Sequence, residues 1–192
     1  MSSSVPHAKP GGRAAAGAAR AASPSIIVIG VGMKMRGDGG FGAAVIEALR
    51  AYPAVVDRVR LAACDGEPAR MIDLWQGYRC ALVLDAVRGG SERHGFVYRR
   101  ELDPEVGDFG AQPGGTSHAV GLGAAARLAH VMDRLPGRLI LYAVHGRDFR
   151  LGAPLSGPVA QAVPELAARI GREVLGALAA AAAGAGKPAK GG

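Results

Sequence analysis

The sequence has little of what usually announces a chemistry. It holds two cysteines, Cys64 and Cys80, in 192 residues. Two thiols at the ends of apolar runs make neither a disulfide framework nor a cysteine metal site, and they read as buried thiols in a reducing cytoplasm. Aromatic residues are 5% of the chain, and no basic stripe is interleaved with them. Phosphate tracking and base stacking need such a stripe, so no nucleic-acid partner is expected. No run of about 20 apolar residues occurs, and the first residues lack the apolar h-region of a secretory signal, so no membrane insertion is expected.

Several motifs are missing as well. No G-x-S-x-G elbow is present, and Ser117 beside His118 is a neighbour in sequence rather than a triad. A dinucleotide fingerprint starting at Gly30 would need glycine where Met35 stands, and there is no G-K-S/T phosphate loop. Acids are scarcer than bases, 16 against 23, giving a formal charge of +7. Lys9, Arg13, Arg20, Lys187 and Lys190 supply five of those seven charges from the two ends, leaving the middle nearly neutral.

Composition divides the chain. Residues 1–24 are built from Ser, Ala, Gly, Pro and a few bases without an apolar period, and they are expected to be disordered. Residues 25–176 are expected to form one domain, and 177–192 a flexible Ala/Gly/Lys tail. A monomer is the default expectation. Within the domain, "SIIVIG" (25–30), "VRLAAC" (59–64), "ALVLDAV" (81–87) and "RLILYAV" (138–144) are short and nearly continuous in apolar character, as strands buried on both faces are. Helical periods lie between them, at 40–51, 67–77 and 118–134. A last helix follows Ser156, a fitting N-cap, with Pro158 in its first turn. This alternation predicts an α/β fold around a mostly parallel sheet. "GFVYRR" (95–100) follows a short turn and is placed to pair antiparallel at an edge. The segment 102–117, rich in Pro, Gly and Asp, reads as a long functional loop.

In such a sheet, ligands gather beyond the carboxyl ends of the strands. The first strand runs on to Asp38, the second into Asp65 and the third ends in Asp85. Asp65, in "DGEP", reads best as a cap or turn residue. Asp85 lies within a buried strand, where a carboxylate is costly without a partner. His118 opens a helix, whose N-terminus disfavours a charged imidazole and helps keep it neutral. A neutral imidazole beside carboxylates suits a divalent metal. His94 and His130 read as surface residues, and His145 as a strand-end residue without an assigned use.

Together these stretches resemble the hydrogenase maturation proteases, endopeptidases that trim the C-terminal extension of nickel–iron hydrogenase large subunits. The resemblance is carried by "VIGVG…RGDGGFG…VIEALR", "DGEPARMIDLWQG", "LVLDAV", "TSHAVGLG" and "LYAVHGRDFRLGAPLSGPVAQAVPE", in order over residues 26–176. It implies a three-layer αβα sandwich with a small mixed sheet. It also implies a large-subunit precursor as partner and substrate, and nickel carried by that precursor. Two acids and a histidine of the protease would bind the nickel, and cleavage would proceed without a serine or cysteine nucleophile. By position the histidine is His118 and one acid is Asp85.

The other acid belongs to the glycine-rich loop, and there the chain departs from the family pattern G-N-x-x-x-x-D-D/E-G-x-G. Gly39 stands where the ligating acid is expected and Met33 replaces the Asn. Two readings follow. Either Asp38 shifts to become the third ligand beside Asp85 and His118 in an active endopeptidase, or the loop is degenerate at Gly39 and the chain is a non-catalytic binding protein on the same fold.

Overall fold

The computed structural model describes residues 25–88, 93–103 and 117–185, with the side chains of 117–120 and 183–185 excepted. The head 1–24, most of the loop 102–117 and the end of the tail lie outside the described residues. Among the described residues, five strands and five helices follow one another as β1 (Ile26–Val31), α1 (Phe41–Leu49), α2 (Pro53–Val56), β2 (Arg60–Cys64), α3 (Pro68–Trp75), β3 (Cys80–Arg88), β4 (Val97–Leu102), α4 (Ser117–Val131), β5 (Arg138–Gly146) and α5 (Gly157–Ala185). They build one sheet of order β2-β1-β3-β5-β4. Every pairing is parallel except that of β4, which runs antiparallel along β5.

The two-residue alternation of the strands sorts the core into two halves. Val28, Leu82, Leu84, Ile140, Tyr142 and Val144 face α1 and α5. Ile27, Ile29, Val31, Ala81, Val83, Leu141 and Ala143 face α3 and α4. Helices cover both faces, as the three-layer expectation requires. Only the inner strands are buried on both sides. β2 is a half-exposed edge strand, so its continuous apolar run overstates its burial.

On the α1/α5 face, close backbone contact sets the position of the glycine loop. A Cβ at Gly30 would come within 2.4 Å of the Gly42 carbonyl oxygen, and one at Gly42 within 2.5 Å of that of Leu84. Only a glycine pair lets α1 lie this close to the strands. On the same face Tyr142 donates its hydroxyl to Glu173 of α5, and Arg99 reaches the other carboxylate oxygen at 3.1 Å. Burial and the Glu173 carboxylate push the Tyr142 hydroxyl up to about 12. α5 itself continues to Ala185, past the boundary at 176. The Ala-rich stretch has high helix propensity, and Leu178 packs against the core.

Candidate functional site

The carboxyl edge of the sheet receives two acids, and they are the buried charged residues among those described: Asp38 is fully buried and Asp85 is 2% exposed. Asp85 belongs to β3, and its neighbours Val83 and Val87 pack on the α3/α4 side, so alternation turns Asp85 to that face. Its Oδ1 accepts the Ala86 N–H at 2.8 Å. Burial nevertheless dominates and pushes the carboxyl up to about 7. Across the sheet, Asp85 is in register with Ala143 of β5, and Ala143 with Tyr98 of β4. The small alanine leaves the acid and the phenol on one row. Burial and then the Asp85 charge push the Tyr98 hydroxyl upward.

α4 lies on the same face. Its Leu122, Ala125, Ala126 and Ala129 enter the core half to which β3 turns Val83 and Val87. His118 occupies the first turn of α4, at the helix position continued by Leu122 and Ala125. Its side chain lies outside the described residues. Sheet and helix thus bring the Asp85 and His118 positions to one face and one edge.

Asp38 has a different surrounding. Its Oδ2 accepts the main-chain N–H groups of Arg147 at 2.8 Å and Asp148 at 3.0 Å, and its Oδ1 accepts that of Ser156 at 2.7 Å. Its own N–H donates to the Asp148 carbonyl at 2.6 Å. Burial pushes the carboxyl upward, but the main-chain donors of Asp148, Ser156 and Arg147 outweigh it and hold the pKa below its ordinary value. A Cβ at Gly146 would stand 2.7 Å from the Asp38 Cβ, and Gly146 follows Val144 on the α1/α5 face by alternation. Asp38 therefore approaches the edge from the face opposite Asp85. Among the described residues no group of three or more His, Cys, Asp and Glu is placed to hold a metal.

The remaining candidates fall into place. Asp65 accepts the Glu67 N–H at 3.3 Å as a turn residue, while the cap of α3 is Glu67, whose carboxylate accepts from Ala69 and Arg70. Cys64 and Cys80 are free thiols. His94 is half-buried and His130 exposed. Ser156 directly precedes α5, and its N–H serves Asp38. His145, without a use in the sequence reading, follows Ala143 on the Asp85 face, with Tyr98 and Phe96 against its ring. Its Nδ1 is buried without a hydrogen-bond partner among the described residues. The signal in sequence was its place two residues beyond the register of Asp85, which shows only once the strands are paired.

No family model and no curated protein matches the sequence. Solved structures do. The hydrogenase maturating endopeptidase HybD from Escherichia coli superposes with a TM-score of 0.59 at 21% identity, over 81% of this chain and 93% of that one. The NiFe hydrogenase maturation protease HybD from Thermococcus kodakarensis gives 0.61 at 16% identity, over 78% and 97%. A hydrogenase 2 maturation peptidase from a Thaumarchaeota archaeon gives 0.53 at 26% identity, over 76% and 94%. The fold of this chain is that of the hydrogenase maturation endopeptidases.

Proposed function

We propose that this chain, built on the hydrogenase maturation endopeptidase fold, is itself such an endopeptidase: it removes the C-terminal extension of a nickel–iron hydrogenase large-subunit precursor after nickel insertion. The observation that carries the reading is Asp85, a carboxylate buried to 2% exposure at the carboxyl end of a central strand, on the face where α4 begins with His118. A carboxyl pushed up to about 7 is a group that gains by meeting a cation, because the cation replaces the hydration that burial removed. His118 stands in the first turn of α4, and an imidazole is a ligand type that such an ion takes. In this reading the nickel arrives with the precursor, Asp85 and His118 engage it, and the scissile carbonyl near it is attacked by water. No serine or cysteine nucleophile is required.

The test is cleavage of nickel-loaded and nickel-free precursor by the parent, Asp85→Asn and His118→Ala, read by mass spectrometry. The expected result is cleavage of loaded precursor by the parent alone, with a rate that rises with pH through about 7 as Asp85 ionises. Cleavage of loaded precursor by both variants at parental rates would refute it. The Asp38 carboxylate and Gly39 favour a second reading. One acid of the loop is occupied by three main-chain donors, and the next position offers no side chain. On this account the chain binds the precursor without cutting it, and the same assay would show complex formation with no product.

A further inference from the structure

The carboxyl edge also carries an exposed apolar surface that the proposed chemistry does not use. Met33 is 50% exposed, Met35 66% and Leu151 76%. They stand on two loops, 32–40 after β1 and 147–156 after β5, which are fastened to each other as one body. The Gly152 N–H donates to the Met35 carbonyl at 2.7 Å and the Gly37 N–H to the Ala153 carbonyl at 2.9 Å. Asp38 closes the seam from within through its three main-chain acceptor contacts. Met35 is held at φ 64°, a left-handed conformation that a non-glycine residue rarely adopts. Such conformations persist where the surroundings enforce them and gather at functional sites. Here the enforced conformation presents a large apolar side chain to solvent.

Bases predominate at the surface around these side chains: Lys34, Arg36 and Arg147 make no ion pair among the described residues, whereas of the two acids of these loops Asp148 is taken by Arg150 at 2.7 Å and the buried Asp38 by main-chain donors. β1 and β5 are the two neighbours of β3, so their loops flank the strand end that holds Asp85. Methionine is an adaptable contact residue, and a cationic rim selects a partner of opposite charge.

We propose that the fused loops form a docking pad for a segment of the hydrogenase large-subunit precursor that combines apolar and acidic side chains, seating it beside Asp85. This rests on the function proposed above and adds to it the chemistry of the segment recognised. The experiment measures binding of the full chain to immobilised nickel-loaded large-subunit precursor. The parent is compared with Met35→Ser/Leu151→Ser and with Lys34→Glu/Arg36→Glu, each variant checked for an unchanged melting temperature. The first pair is expected to weaken binding at least about tenfold at any salt concentration. The second is expected to weaken it by a similar factor at low salt, with the gap to the parent closing at high salt as the charges are screened. Parental binding by both variants would overturn the pad and leave the functional reading standing. A parent that binds no precursor would overturn both.

Discussion

Asp38 and Asp85 lie at the same edge of the same sheet, both lost to solvent, and their carboxyls are driven in opposite directions. Asp38 sits where two loops turn three main-chain N–H groups toward it, and those donors stabilise its charge. Asp85 sits inside a buried strand, where desolvation outweighs the Ala86 N–H that its Oδ1 accepts. The difference teaches that burial alone does not mark a functional acid. What matters is the balance between desolvation and the hydrogen bonds the fold supplies. At Asp38 the main-chain donors win, and it works as a clasp. At Asp85 desolvation wins.

The sharpest way to break this comparison is to remove the clasp. Asp38→Ala would leave three main-chain N–H groups without their acceptor at a buried site. The expected loss is about 3 kcal/mol or more, on the order of 10 °C in melting temperature. Because the folded pKa is lowered, the stabilisation is present above the ordinary carboxylate value near 4 and is lost as pH falls through the still lower folded value. The penalty of Asp38→Ala should therefore be full at pH 7 and shrink in acid. A variant that melts with the parent by scanning calorimetry at pH 7 would show that the loops hold without Asp38.

Asp85 should answer in the opposite sense. Its folded pKa is raised to about 7, so its burial carries little penalty below the unfolded value near 4, and stability falls as pH rises through about 7. Asp85→Asn removes the charge and keeps the shape. It is expected to raise the melting temperature by about 5 °C at pH 8 and to change it little near pH 4, while abolishing cleavage. Stability would be gained where function is lost. A variant less stable than the parent at pH 8 would mean that the charged form of Asp85 is already well compensated.

The fold could be read from the sequence to within a few residues because its four apolar runs are the strands β1, β2, β3 and β5, and helical periods fill the gaps. "GFVYRR" (95–100) overlaps β4 itself, antiparallel at the edge as expected. What was hidden had physical causes. The short helix α2 at Pro53–Val56 has no period to detect, and an edge strand such as β2 has the same letters as a buried one. The role of Asp38 was the least legible feature. Its partners Arg147, Asp148 and Ser156 lie more than a hundred residues away and present backbone, and main-chain amides leave no mark in residue identity. Asp85, by contrast, was legible because a charge in a run of Val, Leu and Ala is visible in one dimension.

The smallest expected effect on stability, and the finest test of the contrast, concerns Gly39. If Asp38 is committed to the clasp, the missing second acid of the loop is missing in fact, and restoring it should change metal binding without changing the fold. Gly39 does not need a positive φ, and a Cβ there would meet the Arg36 carbonyl oxygen at 3.1 Å and the Phe149 ring at 3.4 Å. The first contact requires a shift of a few tenths of an ångström, and the second is ordinary van der Waals contact. Gly39→Asp should accordingly alter the melting temperature by no more than about 3 °C. It should tighten binding of a surrogate cation such as Cd²⁺ at least about tenfold in calorimetric titration, because under the proposed function a carboxylate would join Asp85 and His118 at one ion. The gain should vanish in Gly39→Asp/Asp85→Asn, since both acids would serve one ion. Tightening that survives the loss of Asp85 would place the cation elsewhere on the loop, and an unchanged affinity would show that position 39 does not face the site.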